Sequence, residues 1–369
     1  SEYAEAIINN DMDAQFQIKE RLHYCSEYYD AAFKAREQQE HDQEFLLSGA
    51  AAYFFLDDFG SAKVLSEAIN REHIQNDAKG ILTEILNLLF IGRRKQSFES
   101  TLLNFVKIYL QTGKEEQALQ EADYYMIQMD VEGSPLDVFF SEVLCAILRI
   151  MIGYSARKLL PEYSSIESEK WKAYFDQKNA IKLIWPSQKL IGEKEILTGK
   201  NAVVQLPTGV GKTKSIELII RSMFLGDRGD TALIIAPLRA LCNEITDDMH
   251  RAFQKDVIIN QFSDILELDF ESLFCNKRKQ KILICTPEKL QYIFHHQSDY
   301  INEIDLFVFD EGHMFDDESR GALYELFVTD IVTNLRSNQQ MVLMSAVLSN
   351  ADKICYWAFE EDGVLAYDE

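Results

Sequence analysis

The hydrophobic pattern of this chain changes period once. Up to about residue 175, apolar residues recur every three or four positions, as in TLLNFVKIYLQTGKEEQALQEADYYM and PLDVFFSEVLCAILRIMIGY, which is the spacing of one helix face. From about residue 180 they gather into short runs, AVVQL, TALIIAP, VIINQF, KILICTP, LFVFDE and MVLMSA, separated by stretches of helical period. Short continuous apolar runs alternating with helices are the mark of a parallel sheet covered on both faces. We therefore expect an all-α helical domain over residues 1–175 and an α/β domain with a parallel sheet over residues 180–369. In the helical half, YFFLDDFGSAKVLSEA and IYLQTGKEEQALQEA each read as a helix pair with a short turn, and they superpose with Leu56 on Leu110 and Ala68 on Ala122. Two copies fall short of the repeat number that a solenoid needs. The Phe and Tyr residues of this half read most simply as core.

Two stretches of the second half carry chemistry. NAVVQLPTGVGKTKSIELII runs from a strand, Ala202 to Leu206, through a glycine-rich turn into a helix beginning near Gly211. Backbone N–H groups of such a turn, from Thr208 onward, and of the helix N-terminus cradle phosphate oxygens, and Gly209 and Gly211 let the chain curl without Cβ clashes. Lys212 is placed to reach the β and γ phosphates of ATP, and the Thr213 hydroxyl to ligate Mg²⁺. The general pattern opens with Gly where this chain has Leu206. Further along, DLFVFDEGHMFDDESRG sets a buried strand, Leu306 to Phe309, directly before Asp310 and Glu311. That order puts the acids at the carboxyl end of a sheet strand, where open α/β sheets bind ligands. Asp310 is then the acid that holds Mg²⁺, Glu311 the base that orients water, and Asp316, Asp317 and Glu318 a solvated loop.

Composition narrows the class. The 369 residues suit about two domains, and the 47% apolar fraction supplies two cores. Six cysteines, Cys25, Cys145, Cys242, Cys275, Cys285 and Cys355, are scattered without a C-x-x-C pair, which argues against a zinc site or a disulfide framework and for a reducing, cytoplasmic compartment. His295 and His296 have no acidic or Cys ligand at metal spacing. The acidic N-terminus does not read as a signal peptide, and the longest apolar stretch is interrupted by Glu142 and Arg149. Net charge is −23, with 18 basic against 30 acidic residues up to position 180 and 19 against 30 after it. Neither half is a basic module, so contact with a polyanion has to come from local basic groups and backbone amides. The one basic cluster, NKRKQK, reads equally as a solvated loop or a phosphate contact.

The strand ends of the second half form a series. After the phosphate loop come Pro237 and Arg239 in IIAPLRAL, then Thr286, Pro287 and Glu288 in ILICTPEKL, the Asp310-Glu311 box with His313, and Ser345-Ala346 in MVLMSAVLSN. In that order they closely resemble motifs I, Ia, Ib, II and III of superfamily 2 helicases. Upstream, WPSQ is similar to the family's Pro-x-x-Gln element, which reads adenine, with Gln188 as the reader. The Arg320-Gly321 pair and Asn350 followed by Trp357 resemble the superkiller-like branch. The resemblance spans roughly residues 182–369 and implies a RecA-like ATP-binding lobe.

It also implies roles for individual residues. His313 and Ser345 would link hydrolysis to strand movement, and Arg239, Thr286 and Glu288 would touch the nucleic-acid backbone. Gly312 stands where the family has Ala or Val, and Val347 where it has Thr. In the resembling family arginine fingers come from a second lobe, so turnover is expected to need that lobe. The helical half lies outside the resemblance, although helicases of bacterial anti-phage systems such as Hachiman have a similar helical front. Two readings follow: an ATP-dependent nucleic-acid helicase or translocase in genome or anti-phage defence, whose helical domain docks a protein partner, a nuclease being one candidate, and an ATP-gated binding module or scaffold that regulates such a partner without unwinding. DNA and RNA are both open as the nucleic acid, and no membrane association is expected.

Overall fold

The computed structural model describes residues 1–35, 43–70, 74–92, 98–207, 211–253, 257–262, 279–296, 298–312, 321–348 and 350–367. The chain divides into two compact units, Ser1–Leu159 with Ala173–Trp185 and Leu160–Lys172 with Pro186–Glu369.

The first unit is helical among its described residues: α1 (Glu2–Ile8), α2 (Met12–Ala35), α3 (Gln43–Phe55), α4 (Phe59–Ala68), α5 (Ala78–Phe90), α6 (Thr101–Thr112), α7 (Glu116–Glu132) and α8 (Pro135–Gly153). Both expected helix pairs form, as α3 with α4 and α6 with α7. Local chemistry sets the helix starts. Asp58 and Asp77 accept from the amides of Ser61 and Gly80, and Ser134 with Asp137 closes a capping box around Pro135 at the start of α8. The apolar stripes of α3, α5 and α8 meet in one core with Phe54, Leu82, Ile85, Leu144 and Ile147 fully buried. Each such side chain contributes about 1.5–3 kcal/mol on leaving water.

Helices α9 (Ala156–Ser164) and α10 (Ser168–Phe175) contain two of the points where the chain passes between the units. The second unit continues with α11 (Pro186–Glu193), β1 (Ala202–Gln205), α12 (Lys212–Leu225), β2 (Thr231–Ile235), α13 (Arg239–Ala252), β3 (Ile258–Gln261), β4 (Lys281–Cys285), α14 (Pro287–His296), β5 (Leu306–Phe309), α15 (Gly321–Asn334), β6 (Gln340–Ser345), α16 (Ala351–Phe359) and β7 (Val364–Tyr367). The seven strands form one sheet in the order β3-β4-β2-β5-β6-β1-β7, every ladder parallel. This is the expected RecA-like α/β arrangement with a helical region before it. The six apolar runs of the sequence all become strands, and β7 is added at the edge beside β1.

Alternate strand residues face opposite ways. Val203, Leu233, Ile235, Phe307, Phe309 and Leu343 cluster with Tyr324, Phe327 and Val328 of α15 and Cys355 and Phe359 of α16. The opposite set, including Val204, Ile234, Val308 and Met344, is equally buried, and α12 packs on β5 and α13 on β4. Burial on both sides explains why these strands read as unbroken apolar runs rather than as alternation.

Candidate functional site

The chain leaves β1 toward β2 on one side, while β7 is added on the other side of β1. The carboxyl ends of β1, β5 and β6 therefore meet at a reversal of strand order, the usual ligand crevice of an open parallel sheet. Gln205 is in register with Ser345, and the Leu206 amide donates to the Ser345 carbonyl at 2.9 Å. The atypical Leu206 is fully buried, so its side chain serves the core. The Asp310 amide extends the neighbouring ladder, donating to the Ile235 carbonyl at 2.8 Å. Both strands thus hold hydrogen-bonded geometry up to the residues that carry the expected chemistry.

Thr208 and Gly209 lie outside the described residues, as does His313 with the acids at 316–318. Where the description resumes, Gly211 has φ +90°, a left-handed conformation that L side chains rarely adopt, and it caps α12. A Cβ there would come within 3.4 Å of Gln188 Nε2, so the α11 glutamine lies against the start of α12. Lys212 and Thr213 open that helix, where its unpaired N–H groups favour an anion.

Lys212 Nζ lies 2.8 Å from Glu311 Oε1 across the crevice. Glu311 has φ +58°, a left-handed conformation uncommon for a residue with a Cβ. Its amide donates to Asp310 Oδ1 at 3.1 Å, which fixes the carboxylate of the strand-end acid. The Asp310 charge is felt nearby: burial first, and that charge second, push the Tyr324 hydroxyl well above its ordinary range. Ser345 is fully buried, and its hydroxyl donates to the Val347 carbonyl at 3.1 Å. Val347 itself is 68% exposed, so the departure there from a hydroxyl residue lies on the surface.

These residues fit ATP with Mg²⁺. A cation on a helix N-terminus, a left-handed glycine at that helix's cap, and a carboxylate at the adjoining strand end are what a triphosphate and a hard divalent ion require.

A second group lies along the same sheet edge. Arg239, Cys242, Gln261, Cys285, Thr286 and Lys289 line a cleft of about 80 Å³ at the carboxyl ends of β2, β3 and β4. It brings together two of the three residues expected to touch nucleic acid, Arg239 and Thr286. Glu288, the third, is exposed and is not among the lining residues. Gln261 Nε2 donates to Asn243 Oδ1 at 2.8 Å, tying β3 to α13. Burial raises the Cys242 thiol to about 11 and the Cys285 thiol well above its usual value, so both cysteines line the cleft as neutral groups. Sequence reasoning missed Lys289 and Gln261. Lys289 was readable in principle, since it directly follows Thr286-Pro287-Glu288 in the first turn of α14.

Residues 186–354 match the profile of the DEAD/DEAH box helicase family. The chain is 24% identical to the Hachiman protein HamB of Bacillus cereus over 307 residues, which is 81% of this chain and 27% of that protein. It is 27% identical to the ATP-dependent DNA helicase Hel308 of Thermococcus kodakarensis over 49% of this chain and 15% of that protein, and 31% identical to Hel308 of Methanococcus vannielii over 47% and 22%. The chain thus spans about a quarter or less of each relative. The HamB alignment is longer than the sheet-bearing part and so includes helical sequence, which the Hel308 alignments are too short to require. The ordered strand-end motifs, the parallel sheet that presents them and this match agree: residues 186–354, just under half of the chain, are similar to the DEAD/DEAH box helicase domain.

Proposed function

We propose that the chain is the ATP-binding part of a nucleic-acid helicase or translocase acting in defence against foreign nucleic acid. The observation that carries the motor assignment is the meeting of Lys212 with Glu311 at 2.8 Å, beside Asp310 and Gly211, on the sheet edge that also bears the Arg239 and Thr286 cleft. In this reading Gln188 contacts the base, Lys212 and the α12 N-terminus grip the phosphates, Thr213 and Asp310 hold Mg²⁺, and Glu311 takes a proton from water. Bound ATP supplies the phosphoanhydride whose cleavage drives strand movement. Arg239, Thr286 and Lys289 hold backbone phosphates without reading bases, which suits a tracking enzyme. Ser345, in register with Gln205 beside the phosphate loop, and His313 link hydrolysis to strand movement on the resemblance alone.

The defence role rests on the similarity to the Hachiman protein HamB, which extends over 81% of this chain. We assign the helical half to docking a protein partner, with a nuclease as one candidate. Its surface supports this: Tyr124, Ile127 and Val131 of α7 are 64%, 59% and 79% exposed at helical spacing. The resemblance further implies that a second lobe supplies arginine fingers for turnover.

Calorimetric titration of the chain with ATP·Mg²⁺ tests the assignment. Lys212→Ala should weaken binding at least tenfold, the equivalent of a charge-assisted hydrogen bond of about 1.5–3 kcal/mol, with the fold intact by circular dichroism. Equal affinity in the two proteins overturns the site.

A further inference from the structure

Helix α12 carries charge where its burial argues for apolar residues. Glu217 is 3% exposed and Arg221 7% exposed, and both lie in the middle of the helix. Glu217 uses both carboxylate oxygens: Oε2 accepts from Lys214 Nζ at 2.5 Å and Oε1 from Arg221 Nε at 2.7 Å. The guanidinium then leaves its own helix. Arg221 Nη2 donates to the carbonyl of Ala252, the last residue of α13, and the group stacks over the Phe253 ring at 4.3 Å from its centroid.

A buried ion pair adds little net stability, because removing the charges from water costs about as much as their attraction returns. A leucine pair of similar volume would serve a simple helix contact as well. What apolar packing does not supply is a fixed register, since hydrophobic contact is non-directional and tolerates sliding. Here a planar cation is bonded at once to one helix's carboxylate, the other helix's terminal carbonyl, and a ring that follows it. The favourable placement of a cation at a helix C-terminus adds to the hold.

The register so fixed joins two sites. The N-terminus of α12 is Lys212 and Thr213, in the phosphate crevice, and the N-terminus of α13 is Arg239, in the cleft. Both helices are stiff rods of 14 residues, about 20 Å long. We infer that Glu217 and Arg221 are positioning residues that clamp α12 to α13, so that a shift of the phosphate-gripping helix moves the strand-gripping one and couples nucleotide to nucleic-acid binding. The inference rests on the proposed motor reading and deepens it.

The test is a linkage measurement on the 369-residue chain. The probes are fluorescein-labelled oligo(dT) and oligo(U), bound with and without AMP-PNP·Mg²⁺ and followed by anisotropy. The wild-type chain should change its strand affinity by roughly 5- to 150-fold when the nucleotide is present, the usual range of coupling between sites. In Arg221→Met and Glu217→Gln this factor should fall to within about twofold of unity, while each ligand alone binds within about threefold of wild type. Arg221→Lys keeps the charge on Glu217 without the planar stack and should be intermediate. Melting curves are read alongside, and if Arg221→Met does not fold, Glu217→Gln and Arg221→Lys decide. Folded variants with the wild-type factor, or a wild type that binds both ligands with a factor of one, overturn the clamp. A wild type that binds neither ligand overturns the motor reading itself.

Discussion

Lys212 Nζ and Glu311 Oε1 stand 2.8 Å apart with side chains only 13% and 20% exposed, so the residue assigned to grip phosphate and the residue assigned to activate water are each other's partner. Phosphate binding has to draw the ammonium from the carboxylate, which opens Glu311 Oε1 to a water donor once Lys212 has moved. One contact thereby links occupancy of the site to the readiness of its base.

Glu311→Gln is therefore expected to separate binding from turnover. The neutral amide holds Lys212 more weakly than the carboxylate, by about 1 kcal/mol, so ATP·Mg²⁺ should bind roughly fivefold more tightly. Hydrolysis, measured in a form of the protein competent for turnover, should fall by about 10²–10⁴ with loss of the general base. Weaker nucleotide binding in Glu311→Gln would contradict the exchange.

The cleft at the ends of β2, β3 and β4 gives a second expectation. If Arg239 and Lys289 each meet one phosphate, strand affinity should fall with salt, and each Ala substitution should reduce the slope of log K against log salt by about 0.7. Oligonucleotides of different sequence should lose affinity equally, because phosphate contacts carry no base information. A salt slope unchanged in Arg239→Ala and Lys289→Ala would remove the cleft from the binding path.

Much of this was legible in the chain because burial on both faces makes a parallel strand an unbroken apolar run. LFVF becomes β5 at Leu306–Phe309, and Lys212 is where the helix begins. β7 escaped because Val364 to Tyr367 is four residues long, follows an acidic stretch and pairs only with β1, so its pattern carries little contrast. Glu217 and Arg221 escaped for another reason. At a spacing of four they read as an exposed helix pair, and only the approach of α13 makes them a buried clamp. Lys289 and Gln261 meet Arg239 through the order of strands in the sheet, which local periodicity does not encode.

The helical unit should be alkali-sensitive. Burial holds the Tyr109 hydroxyl up to about 12, and burial with the charges of Asp137 and Asp77 does the same for Tyr125, whereas an unfolded tyrosine ionises near 10. Folding favours the protonated form, so these groups contribute fully below pH 10 and the contribution is lost as pH rises from 10 to 12. Tyr109→Phe removes one such group and should flatten the decline in that window by roughly 2 kcal/mol, read from denaturant unfolding followed by circular dichroism. An identical pH profile in the variant would show that Tyr109 ionises alike in both states.

Two glycines of the crevice should respond oppositely to alanine. The resemblance implies Ala or Val where this chain has Gly312, and a Cβ added there would meet the Met344 carbonyl at 3.4 Å and Ser345 Cβ at 3.6 Å, both ordinary van der Waals distances, so no atom has to move. Gly312→Ala is expected to leave the melting temperature and ATP affinity unchanged. Gly211 differs because its φ of +90° is the constraint, and the nearby Gln188 amide limits relief by rotation of the turn. An L side chain in the left-handed region costs about 1–2 kcal/mol, and the chain can avoid that only by turning the peptide at the start of α12, where the phosphates are proposed to bind. Gly211→Ala should consequently lose ATP·Mg²⁺ affinity by about tenfold or more, with a smaller effect on unfolding by denaturant. Equal behaviour of the two variants in calorimetry would mean that the turn at Gly211 does not shape the nucleotide site.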